Sequence, residues 1–168
     1  PAPCVWAIEM KFSELPLHDT LGCVLAHSVR HADGVFKKGR KLAADDLKLL
    51  SASGVSKIFV ARLDADDVPE DEAARAIAEK VAGSGAMAQE PFTGRANVYA
   101  QQRGLVVVDG FRVNAINRVH ESMTLATLPS YHVVVKGQMI ATVKIIPFAV
   151  GKENLNKVLT EIGTKPVI

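Results

Sequence analysis

Aromatic side chains make up only 5% of this chain, too few to build the stacking platforms by which proteins grip single-stranded nucleic acid. A dominant sign of charge is also missing. Twenty Lys and Arg against eighteen Asp and Glu leave a formal charge of +2, which exerts no strong pull toward nucleic acid or membrane. Two cysteines, Cys4 and Cys23, cannot make a disulfide scaffold, and no CxxC pair or Cys/His cluster has zinc spacing. This usage points to a reducing compartment. No apolar run approaches the roughly 20 residues that span a bilayer, and the first residues lack a basic stretch followed by a long apolar one. The expectation is a cytoplasmic protein without nucleic-acid or membrane partners.

The usual nucleotide and nucleophile motifs are absent too. The nearest approach to a phosphate loop, Gly34 to Arg40, has the wrong spacing and no Ser or Thr after its basic residues. No GxSxG elbow or GxGxxG turn follows a predicted strand. His27 and His31 stand four apart, but VLAHSVRH reads as strand running into turn, where such residues lie about 13 Å apart, too far to share a metal. Asp64, Asp66 and Asp67 read as a solvated loop leading to a helix rather than a magnesium site. No intrinsic metal is expected, and no complete catalytic machinery can be named.

What is present is a chain of 168 residues, 48% hydrophobic, long enough for one ordinary domain or two small lobes with a real core. Its most informative stretch is Gly34–Arg62, a glycine-punctuated strand, a short helix with Asp45 and Asp46 in its first turn, a stop at Gly54 and a second strand. Upstream, Cys23 to Ala26 are consecutively apolar, as in a strand buried on both faces. Pro69 and the acidic run Glu70–Glu72 open a helix whose stripe Ala73, Ile77 and Val81 ends before Gly83. Ser84–Pro91 has no period and reads as a hinge. Beyond it we expect a short helix over Arg95–Gln102, a buried strand at Leu105–Val108, a helix Phe111–Val119 capped by Asp109, and strands Met123–Leu128, Tyr131–Val135 and Gln138–Phe148. A final helix, Glu153–Ile162, precedes Pro166–Ile168, which reads as a strand just starting and suggests a piece of something longer.

The fold class is therefore α/β or α+β, with mixed sheets, short flanking helices and two small lobes. The expected division is an N-terminal strand–helix–strand lobe over 10–83, a second lobe over 92–150 and a C-terminal helical segment over 151–168. Pro1–Glu9 fits poorly with the rest of the chain, Met10 is a plausible natural start, and Trp6 is left to pack where it can.

The polar set that invites a ligand lies in the second half. Thr93, Gly94, Arg95 and Asn97 bring a hydroxyl, a flexible backbone, a guanidinium and an amide to an expected loop-to-helix junction, where free helix N–H groups would cradle an anion. The plainer alternative is an N-cap by Thr93 beside a surface arginine. Asn117 on the next helix and Lys144, which shares a strand face with Thr142, complete the candidate set.

Taken in order, LGCVLAHSVR, GVFKKGRKLAADDLKLLSASGVSKIFVAR, EPFTGRANVYA, INRV, TLATLP and GQMIATVKIIPFAV resemble the N-terminal region of bacterial molybdopterin-binding proteins related to molybdopterin molybdotransferase. The resemblance covers about Met10 to Val150. It implies a role in molybdenum cofactor biosynthesis or handling, with molybdopterin or its nucleotide derivative as ligand and homo-oligomers as possible assemblies. In many relatives a molybdopterin-binding α/β domain follows, sometimes with a nucleotidyltransferase domain, and this chain ends before any such glycine-rich motif. No catalytic residue is carried over, so the implied part is accessory or substrate-covering. The competing expectation is an oligomerisation or interaction module with no small-molecule site, which a large exposed apolar patch would favour.

Overall fold

The computed structural model describes residues 11–168, so the readings of Pro1–Glu9, Cys4, Trp6 and Met10 lie outside the described residues. The chain is α+β and divides into two compact units, ending and starting at Ala65 and Asp66. That boundary lies upstream of the expected one at 83.

The first unit holds β1 (Lys11–Pro16), β2 (Val24–Leu25), β3 (Val29–His31), β4 (Gly34–Phe36), α1 (Ala44–Ala52) and β5 (Lys57–Arg62). β5 is the central strand of an antiparallel sheet ordered β1-β5-β2, and β3 with β4 forms a separate hairpin. The strand expected at Cys23 to Ala26 is shortened to the two residues of β2, although all four are buried as expected. Helix α1 ends where the sequence says it should. Gly54 adopts φ +79, its N–H donates to Ser51 and the Val55 N–H donates to Leu50 at 3.0 Å, the paired bonds that satisfy the last carbonyls of a helix. Leu50 then packs with Leu17, Leu25, Leu42, Ile58 and Val60 in a small core.

The second unit contains β6 (Asp67–Pro69), α2 (Glu70–Val81), β7 (Ala86–Ala88), β8 (Arg95–Ala100), β9 (Gly104–Val106), α3 (Gly110–Val119), β10 (Met123–Thr127), β11 (His132–Val134), β12 (Met139–Ile145), β13 (Ala149–Gly151) and α4 (Lys152–Ile162). An antiparallel sheet ordered β10-β12-β8-β7 forms its frame, beside the two-stranded ribbons β9/β11 and β6/β13. Helix α2 belongs here. Its alanines Ala73, Ala74 and Ala78 are fully buried with Ile77 and Val81, and the lack of bulk lets the helix lie close on β8 and β12. The inner sheet face supplies Ala96, Val98, Leu125, Val143 and Ile145, and α4 adds Leu155, Val158 and Ile162 to the same core.

Three local expectations are corrected. Within the helix expected over Arg95–Gln102, Arg95–Ala100 is instead the interior strand β8, because Ala96, Val98 and Ala100 alternate into the core and demand a period of two. The supposed hinge contains β7, the sheet's edge strand, whose Ala86, Met87 and Ala88 lie opposite Ala100, Tyr99 and Val98. Leu105 and Val107 are exposed while Val106 is buried, so that strand covers the core with one face only.

The end of the chain is not a strand but is firmly docked. The N–H groups of Val167 and Ile168 both donate to the Val81 carbonyl at 3.0 Å, and the Gly83 N–H donates to the Ile168 carbonyl. Arg112 donates to the carbonyls of Ile162, Lys165 and Pro166 at 2.6 to 2.7 Å while its Nε donates to Asp109. Asp109 also caps α3 by accepting the Arg112 N–H, and this guanidinium holds its carboxyl below the usual carboxylate range.

Candidate functional site

Register decides which polar groups meet on the outer face of the large sheet. Lys144 of β12 lies opposite Arg95 of β8 on one side and Thr124 of β10 on the other. One step along, Thr142 lies opposite Asn97. Since the inward residues Ala96, Val98, Val143 and Ile145 are buried, the alternation of the strands sends Arg95, Asn97, Thr142 and Lys144 to the other side. Two cations therefore face each other across a strand pair. Neither makes an ion pair among the described residues, and like charges directly opposed are unfavourable in a sheet.

The turn that begins β8 completes the neighbourhood. Phe92 and Arg95 exchange backbone hydrogen bonds at 2.9 and 3.2 Å, which makes Thr93-Gly94 the two-residue loop of a tight hairpin. Both have positive φ, 49° and 73°, as the favoured hairpin turns require. Gly94 has a second constraint, because a Cβ there would come within 2.6 Å of the Ile145 carbonyl and of Glu70. Its N–H donates to Asp71 at 2.8 Å. These bonds correct the expected chemistry: no helix starts here, and the Gly94 and Arg95 N–H groups are occupied by Asp71 and Phe92 rather than free to cradle an anion.

What remains is a side-chain site. An open depression of about 480 Å³ is lined by Gln89, Glu90, Phe92, Thr93, Arg95, Asn97 and Lys144. Glu90 is compensated by Arg75 at 2.6 Å. The Asn97 carbonyl oxygen accepts the Thr142 hydroxyl at 2.8 Å, which orients its amide nitrogen toward the Tyr99 hydroxyl, 3.4 Å away. Such a set can hold an anion between two cations and fix its orientation with a hydroxyl and an amide. It contains no paired nucleophile and base, and no group of three metal-ligating side chains occurs among the described residues.

The structure thus brings Thr93, Arg95, Asn97 and Lys144 together, with Gly94 shaping the turn beneath them. Asn117 is elsewhere. Its amide bridges the backbone of Leu125, donating to the carbonyl at 2.9 Å and accepting the N–H at 2.7 Å, and so it ties α3 to β10. Gln89, Glu90 and Phe92 are the lining residues that sequence reading missed. Their signal was Thr-Gly flanked by two extended runs, a hairpin pattern. A second depression, of about 390 Å³, is lined by Gly83, Gly85, Gln102, Val106 and Ile140 among others, none of them charged.

A family model described as a domain of unknown function, DUF8806, matches residues 14–62, which lie within the first unit. The candidate site lies outside that stretch. No curated protein and no solved structure matches the chain.

Proposed function

We propose that this chain acts in molybdenum cofactor biosynthesis or handling, holding molybdopterin or its nucleotide derivative as an accessory or substrate-covering region rather than as a complete catalyst. The ligand's phosphate sits between Arg95 and Lys144, with Thr93 and Asn97 as neutral partners. The observation that carries the reading is the in-register opposition of those two cations on an exposed sheet face, a placement that an anion converts from unfavourable to favourable. The sequence strings from LGCVLAHSVR to GQMIATVKIIPFAV support the particular cofactor. The proposed setting is the cytoplasm, in keeping with the unpaired, buried thiol of Cys23. Among the described residues no helix is long and apolar enough to cross a membrane.

Calorimetric titration of the chain with purified molybdopterin tests the proposal. Saturable binding to the wild type that is lost in Arg95→Ala and in Lys144→Ala is the expected result. Heat-free titration of the folded wild type, or binding that survives both changes, rejects it.

A further inference from the structure

A different surface of the second unit carries an inference about assembly. In the ribbon β9/β11, Leu105 lies opposite Val133 and Val106 opposite His132. Val106 and Val134 turn inward at 5% and 3% exposure. By the same alternation Leu105 and Val133 face outward, Val107, Tyr131 and Val135 flank them just beyond the strand ends, and all five are 57 to 73% exposed. Five neighbouring exposed apolar residues in and beside one ribbon are not the scattered surface hydrophobics that need no explanation.

Tyr131 adds an independent observation. It is held at φ +65, a left-handed conformation that is rare and costly for a bulky side chain. The turn is over-determined around it: the Tyr131 N–H donates to the Val106 carbonyl at 2.6 Å, the His132 N–H to Pro129 at 3.3 Å, and the Val108 N–H to the Ser130 hydroxyl at 3.0 Å. Yet the ring itself is 73% exposed. The fold bears backbone strain to display an aromatic side chain that gains little burial within its own chain.

We propose that the outer face of the β9/β11 ribbon is a self-association surface, on which a second copy of this chain packs face to face with Tyr131 as its anchor. Area favours that occupant. The five side chains offer on the order of 550 Å² of apolar surface per copy, so two copies bury about 1,100 Å², just above the lower bound of a specific interface. The five residues themselves are uncharged, and the nearest cations along the chain, the exposed Arg103 and Lys136, stand at one edge of the patch. Tyr131, in the turn at one end of the aliphatic patch, is of the residue type that most often anchors an interface.

Sedimentation equilibrium of the 168-residue chain, run up to about 200 µM to reach the weak association that so small an area allows, reads the outcome directly. The wild type is expected to shift from monomer to dimer with concentration. Leu105→Glu is expected to leave a folded monomer, as judged by an unchanged circular dichroism spectrum. Tyr131→Gly separates association from folding: glycine relieves the positive φ, so the melting temperature should hold or rise while the dimer weakens at least tenfold. A wild type that stays monomeric throughout, or a dimer that tolerates both substitutions, overturns the proposal.

Discussion

Two charge arrangements, one in each unit, are built in opposite ways. In the first, Arg40 grips Asp46 with two hydrogen bonds of 2.9 and 3.0 Å and rests over the Phe36 ring, 4.5 Å from its centroid. Asp46, buried at the start of α1, also accepts the Ala43 N–H at 3.1 Å, so its oxygens are spent on holding the fold. In the second unit, Arg95 and Lys144 are opposed on an open sheet face, and neither forms an ion pair among the described residues. A charge that is paired, buried and hydrogen-bonded is serving structure. A pair of like charges set in register and left exposed does nothing for the fold, and so marks the place to look for an anionic ligand.

Three perturbations sharpen that contrast, beginning with the most damaging. Gly94→Ala forces a side chain into a positive-φ position already crowded by the Ile145 carbonyl and Glu70. It should destabilise the second unit by about 3 kcal/mol, visible as an earlier transition in urea, because strain and overlap act together.

Acid, or Asp46→Asn, should instead strike the first unit. The Arg40 guanidinium chiefly, helped by the Ala43 N–H and opposed by burial, holds the Asp46 carboxyl below its ordinary 3.8. The folded state therefore releases this proton more readily than the unfolded chain does. The resulting stabilisation is complete above the unfolded carboxylate pKa and is lost as pH falls through the lower, folded one. Asp46→Asn should cost about 2 kcal/mol at neutral pH, less than a fully buried pair because Arg40 is half-exposed, and should flatten the acid limb of a stability-versus-pH curve.

Smallest in stability and sharpest in meaning is Lys144→Glu. Replacing one of two opposed cations by an anion should raise stability by about 0.5 kcal/mol while abolishing binding of any phosphate-bearing ligand. A drop in melting temperature would show that Lys144 has a structural partner and would undo the contrast between the units.

Legibility from sequence followed periodicity and punctuation. The α2 stripe Ala73, Ile77 and Val81 is buried as its spacing predicts; of the expected α4 face Leu155, Val158, Leu159 and Ile162, all are buried except Leu159, which is half-buried against the same core; and Gly54 and Asp109 act as the stop and cap they resemble. Arg95–Gln102 misled because its inward residues Ala96 and Ala100 are as good in helices as they are poor in strands, leaving Val98 alone to signal an extended chain. The candidate site suffered from the same error. On a helix, Arg95 and Asn97 would diverge; on a strand, two residues apart, they share a face. Lys144 joins them only through the register of β12 against β8, which no local pattern encodes. Asn117 read as a ligand contact on the polar side of its helix, and only the proximity of the Leu125 backbone makes it a tie between elements.

The docking of the last residues has a mechanical side. Because Val81 accepts two N–H groups from Val167 and Ile168 and Arg112 clasps three carbonyls of the segment before them, a pull on Ile168 is not taken up by a slack tail. It is delivered at once to the C-terminal end of α2 and the first turn of α3, the two helices that flank the large sheet. The segment 165–168 works as a handle rigidly fixed to the body, and a probe attached at Ile168 would report the tumbling of the second unit rather than its own.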